Sequence, residues 1–126
     1  MTEASLGEKE LFFVHLWATW CPPCIAEMPE LAQIANDYGD RVGFIALLED
    51  YQRGADAAIR ITEASGVPFI CVDARGEDFS TLLNMLNSGY VPTTVLIGSD
   101  GGMIGEQIIG AFGEGYKWLI EDALAK

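Results

Sequence analysis

Basic residues are scarce in this sequence: 7 lysines and arginines stand against 19 aspartates and glutamates over 126 residues, a net charge of −12. Such a balance repels phosphate backbones and anionic membrane surfaces, and argues against nucleic acid as a partner. No apolar run approaches the roughly 20 residues that a membrane helix needs, so membrane insertion by this segment is not expected. The N-terminus, Met1-Thr2-Glu3-Ala4-Ser5, lacks the basic-then-apolar order of a secretory leader. Residues 1–8 read as a flexible or added start, so that second absence carries no weight. Histidine occurs once, as His15, and cysteine three times, as Cys21, Cys24 and Cys71. Three cysteines make no scaffold of paired bridges, and they do not fix the redox compartment either.

What is present is a chain that is 50% hydrophobic, with its charges, glycines and prolines spread along the length. That suffices for one domain with its own core, residues 1–126, and gives no sign of disorder or of an internal repeat. The most informative stretch is Trp20-Cys21-Pro22-Pro23-Cys24. Before it, Leu11-Phe12-Phe13-Val14-His15-Leu16-Trp17-Ala18 is rich in aromatic and branched residues, as a strand buried on both faces requires. After it, Met28, Leu31, Ala32 and Ala35 recur at helical spacing among Glu27, Glu30, Gln33 and Asn36. Cys21 therefore falls at a helix N-terminus, where unpaired N–H groups and the positive end of the macrodipole favour thiolate. Pro22 and Pro23 suit the first turn, where a missing N–H costs least. Spacing of i, i+3 on that turn brings the two sulfurs within bridging distance.

Three readings of the pair can be weighed. A structural staple would close too short a loop to gain much entropy. A zinc site would need about four ligands, with only Cys71 and His15 left to join the pair. Dithiol chemistry, in which one sulfur attacks and the other releases, fits the helix-terminal placement best.

Further along, residues 41–48 read as a second buried strand and residues 53–65 as a helix stopped by Gly66 ahead of Pro68. Residues 69–72 read as a short strand and residues 78–87 as another helix. Residues 91–97 and 103–109 form two strands about a Ser99-Asp100-Gly101-Gly102 turn, and residues 116–125 a last helix. Strands alternating with helices, then a hairpin and a closing helix, predict an α/β sandwich around a mixed sheet.

With those elements placed, the sequence resembles the thioredoxin superfamily, and within it the TlpA/ResA/DsbE-like branch of thiol-disulfide oxidoreductases. The motifs are the run from Phe12 to Cys24, then Glu27-Met28-Pro29-Glu30-Leu31, then Val91-Pro92-Thr93-Thr94, then Gly110-Ala111, in that order. The resemblance implies a thioredoxin-like three-layer sandwich with a central mixed sheet, carrying an extra helix-strand segment between the first βαβ unit and the C-terminal hairpin. It implies Cys21 as attacking thiolate, Cys24 as buried resolving thiol, and Pro92 in cis facing them, although Pro92 by itself would also suit the start of a strand. It implies that Trp20, Val91 and Ala111, beside Pro22 and Pro23, line a shallow apolar groove for an extended substrate strand. Trp20 read alone would also fit the core. No cofactor is implied beyond the Cys21–Cys24 disulfide, and the partners would be protein disulfides or dithiols and an upstream thiol donor, met by a monomer. Members of the branch sit outside the cytoplasmic membrane, and some reduce apocytochrome c cysteines or copper-site proteins.

Glu27, one helical turn past Cys24, can exchange a proton with it if buried, or simply favour the helix dipole if exposed. His15 departs from the superfamily pattern, standing where thioredoxins carry a buried acid. It fits either proton exchange or a packed core role. Cys71 reads as an inert core thiol, with regulatory pairing as its alternative. Pro22 and Pro23 withhold two N–H groups from Cys21, so its thiolate is only moderately stabilised, with a pKa of roughly 7, and the pair is expected to act as a reductant. A general cytoplasmic thioredoxin and a non-catalytic docking module are the competing functions.

Overall fold

β1 (Leu11–Trp17) is the spine of the molecule, and all seven of its residues are buried. A strand with no polar side belongs at the centre of a sheet covered on both faces. The computed structural model describes residues 9–69, 71–76, 80–86 and 88–125; residues 1–8, read above as a flexible or added start, lie outside them. β2 (Val42–Leu48) runs parallel to β1, with Leu11 opposite Val42 and Trp17 opposite Leu48. β4 (Thr93–Gly98) runs antiparallel on its other side and sets Thr94 opposite His15. β3 (Cys71–Asp73) and β5 (Met103–Ile109) complete the order β3-β2-β1-β4-β5.

Alternation along β1 divides the core in two. Leu11, Phe13 and Trp17 face one side, against Met28 and Leu31 of α1 (Pro22–Tyr38), Ala58 of α2 (Tyr51–Ser65) and Tyr116 and Ile120 of α4 (Gly115–Leu124). Phe12, Val14 and Leu16 face the other, with Leu47, Val95 and Leu86, the last just beyond α3 (Ser80–Met85). Each large apolar side chain so buried is worth about 1.5–3 kcal/mol, which makes these two clusters the main hold on the helices. The result is the three-layer sandwich on a mixed sheet.

Element boundaries differ from the sequence reading in places that have local causes. α2 begins at Tyr51 rather than 53, because the Asp50 carbonyl already accepts from the Arg53 and Gly54 N–H groups. It ends as expected at Gly66, whose left-handed φ of 73° lets its N–H reach the Glu63 and Thr62 carbonyls. β3 is displaced to residues 71–73, with Ile70 outside the described residues, as are Asp78, Phe79 and Asn87 of the helix predicted over 78–87. β4 starts at Thr93, two residues late, since a cis Val91–Pro92 bond precedes it and proline has no N–H for the ladder. α4 is shifted by one residue.

Candidate active site

The loop between β1 and α1 is tied down before the cysteines begin. Thr19 donates its backbone N–H to an Asp50 carboxylate oxygen at 3.0 Å and its hydroxyl to the other, so the start of α2 holds the segment that carries Trp20 and Cys21. Cys21 then caps α1 in extended backbone, and its Sγ accepts the Cys24 N–H at 3.3 Å, with Pro22 and Pro23 occupying the first two helical positions. Those prolines contribute no donor, so the sulfur receives a single backbone N–H from the turn it caps.

Cys21 and Cys24 are joined as a disulfide, with Cα atoms 5.3 Å apart. Both are buried, Cys21 at 3% exposure against 0% for Cys24, so the difference in access expected from their positions is slight in the oxidised state. Cys21 Sγ also lies 3.8 Å from the Val91 carbonyl oxygen, which places the cis Val91–Pro92 bond against the sulfur.

Around the pair the surface exposes large apolar groups among polar ones. Trp20 is 64% exposed, which removes the core role that its sequence left open. Trp20 and Val91 line an open groove of about 460 Å³ whose other walls are apolar at Leu16, Leu83 and Leu86 and polar at Glu49, Arg75 and Asn84. Pro22, Pro23 and Ala111 are exposed but do not line that groove.

Beneath the cysteines lies a polar cluster in an otherwise apolar core. Glu27 is buried, which rules out the exposed first-turn carboxylate. His15, 1% exposed, sits between two partners: Nδ1 is 2.7 Å from the Thr94 hydroxyl, and Nε2 is 3.2 Å from Glu27 Oε2. The second approach has ion-pair distance without hydrogen-bond alignment, and both Glu27 oxygens are buried without a well-formed hydrogen bond. Tyr116 closes the cluster, its ring edge-on to His15 at 6.1 Å and its hydroxyl donating to the Gly110 carbonyl at 3.3 Å. Burial first, then the Glu27 charge, hold that phenol well above its ordinary value.

His15 is packed in the core and approaches Glu27. Sequence reasoning did not pick out Thr94 or Tyr116. A buried threonine opposite a histidine is visible only once strand register is known. Cys71 is free and half-buried, and its burial pushes the thiol up to about 11. Among the described residues no group of three His, Cys, Asp or Glu side chains is arranged to hold a metal ion.

A helix-capping cysteine bridged to the first turn and set against a cis X–Pro bond, on a mixed sheet between helices, defines a thioredoxin-fold redox domain. The chain belongs to the Redoxin family, whose sequence model matches residues 2–115. It is 33% identical over 100 residues to the thiol-disulfide oxidoreductase ResA of Bacillus thuringiensis (strain Al Hakam), a match covering 78% of this chain and 54% of that protein. It is 30% identical over 112 residues to the thiol:disulfide interchange protein CycY of Rhizobium leguminosarum bv. viciae, covering 86% and 54%. The chain thus spans about half the length of these curated relatives. In fold it is similar to a thioredoxin-family thiol:disulfide interchange protein from Chlorobium tepidum TLS, with a TM-score of 0.81, 23% identity, and coverage of 98% of this chain and 86% of that one.

Proposed function

We propose that this domain is a thiol-disulfide oxidoreductase that reduces disulfides in client proteins outside the cytoplasmic membrane. The observation that carries the direction is the single N–H, from Cys24, that reaches Cys21 Sγ. A thiolate so sparsely stabilised makes a dithiol that gives electrons away readily. In the reaction, the Cys21 thiolate attacks a client disulfide, forming a Cys21–client S–S bond and releasing one client thiolate, which takes a proton from water. Cys24 then gives its proton to Glu27 and attacks Cys21 Sγ. The Cys21–client bond breaks, the second client thiolate leaves, and the Cys21–Cys24 disulfide remains. Two electrons from an upstream thiol donor reset the pair. The extracytoplasmic setting, and clients such as the cysteines of cytochrome c apoproteins, are supported by the likeness to the TlpA/ResA/DsbE branch.

Equilibration in thiol redox buffers, with alkylated cysteines counted by mass and Cys71→Ser as control, tests the direction. A potential near thioredoxin's, about −270 mV, is expected, and one at or above about −180 mV would make the domain an oxidant or isomerase. Cys24→Ser should accumulate a Cys21 mixed disulfide with a peptide disulfide, whereas Cys21→Ser should form none. Equal trapping by both variants would remove Cys21 as the nucleophile.

A further inference from the structure

The reaction above uses Cys21, Cys24 and Glu27 and leaves the Thr94 hydroxyl without a part, although it is fully buried and makes the short contact in the cluster, 2.7 Å to His15 Nδ1. We propose that Thr94 is a positioning residue for the resolving step: its hydroxyl partners His15 Nδ1 in either tautomer, and so lets the imidazole follow Glu27 as that carboxylate takes the Cys24 proton. The inference rests on the reading of Glu27 as the proton partner of Cys24.

The argument is one of donors and acceptors. A neutral imidazole has one N–H and one lone pair. While Glu27 is ionised, the N–H belongs on Nε2, facing Oε2, and Nδ1 must accept a hydrogen bond, which the Thr94 hydroxyl donates. Once Glu27 has taken the Cys24 proton, its O–H can be turned on Nε2 as a lone pair. The imidazole N–H then moves to Nδ1, and the same hydroxyl rotates to accept it. A hydroxyl both donates and accepts, so Thr94 satisfies His15 in either state. A group with one role would penalise one of the two, and a buried unpaired nitrogen costs about 1–3 kcal/mol. The groups facing His15 are few among the described residues: Glu27 from α1, with Cys24 one turn earlier, Tyr116 from α4 and Thr94 from β4, while β2 sets Ala46 opposite it in register.

Rapid-quench alkylation of the Cys21 mixed disulfide with a peptide disulfide, across pH, reads the resolving step directly. Thr94→Val is expected to slow resolution about tenfold, as loss of one buried hydrogen bond allows, and to displace its pH profile. Thr94→Ser should restore both rate and profile, and formation of the mixed disulfide should be unchanged throughout. If Thr94→Val does not fold, as judged by thermal unfolding, Thr94→Ala is read in its place. Wild-type rate and profile in the Thr94 variant, with Glu27→Gln slow, would overturn the role of Thr94 and leave that of Glu27. Wild-type behaviour in both would overturn the two together.

Discussion

Cys71 is the chemical opposite of Cys21, and the contrast is one of surroundings rather than of residue type. It lies at the start of β3, caps no helix, and lines a largely apolar hollow with Leu48, Ala58 and Phe69. Desolvation raises its thiol from 9.0 to about 11, only partly opposed by the Trp17 indole, whose N–H lacks a well-formed partner. A thiol so placed holds roughly a hundredfold less thiolate at any pH below both values. In the oxidised protein, where Cys71 is the free thiol, alkylation by iodoacetamide at pH 8 should therefore run at least about a hundredfold slower than in urea. The sign for stability follows the same shift. The folded state holds its proton longer, so stability is untouched below the ordinary thiol value and falls as pH rises from 9.0 through about 11. Folded-state alkylation as fast as that of the denatured chain would reopen a regulatory role for this thiol.

The elements that carry the site were mostly legible because each is written in one local pattern. β1 announces itself by seven residues without a polar gap save His15, and α1 by apolar residues at helical spacing behind two prolines. Cys21, Cys24, Glu27 and Pro92 could be placed from such patterns. What joins elements was not legible, because it depends on register and on side chains that serve another part of the chain. Asp50 is the clearest case: it precedes α2 but makes no cap for it, and its carboxylate binds Thr19 instead. Gly54 is the residue that leaves room for this link. A Cβ there would stand 2.6 Å from Asp50 Oδ2 and 2.7 Å from Thr19 Oγ1. Alanine would gain about 1 kcal/mol of helix propensity and lose about 1–3 kcal/mol to overpacking. Gly54→Ala should thus lower stability by up to about 2 kcal/mol in urea denaturation, with Asp50→Ala lowering it as well. Stability at or above wild type in Gly54→Ala would mean that the link yields without cost and does not hold the Cys21 loop in place.

At the scale of the whole molecule two properties of the redox face pull in different ranges. Close to the sulfurs large apolar groups are exposed, Trp20 at 64% and Tyr90 at 67% beside Pro22 and Pro23, in a groove that also carries Glu49, Arg75 and Asn84. That surface rewards contact with any uncharged stretch around a client disulfide. At longer range the −12 charge of the chain sets up a negative field that a cationic client descends and an anionic one must climb. The two ranges separate with salt, since screening shortens the reach of charge from about 10 Å at 0.1 M to about 3 Å at 1 M and leaves apolar contact in place. Two peptide disulfides alike in the residues flanking their cysteines, one with lysines and one with glutamates at the ends, should therefore be reduced at different rates in dilute buffer. The cationic one is expected to be faster by about tenfold or more. Its rate should fall and the other's rise as salt is added, until the two converge near 1 M. Equal rates at low salt would mean that the acidic residues do not project their field across the Cys21 face, and that client choice rests on the apolar contacts alone.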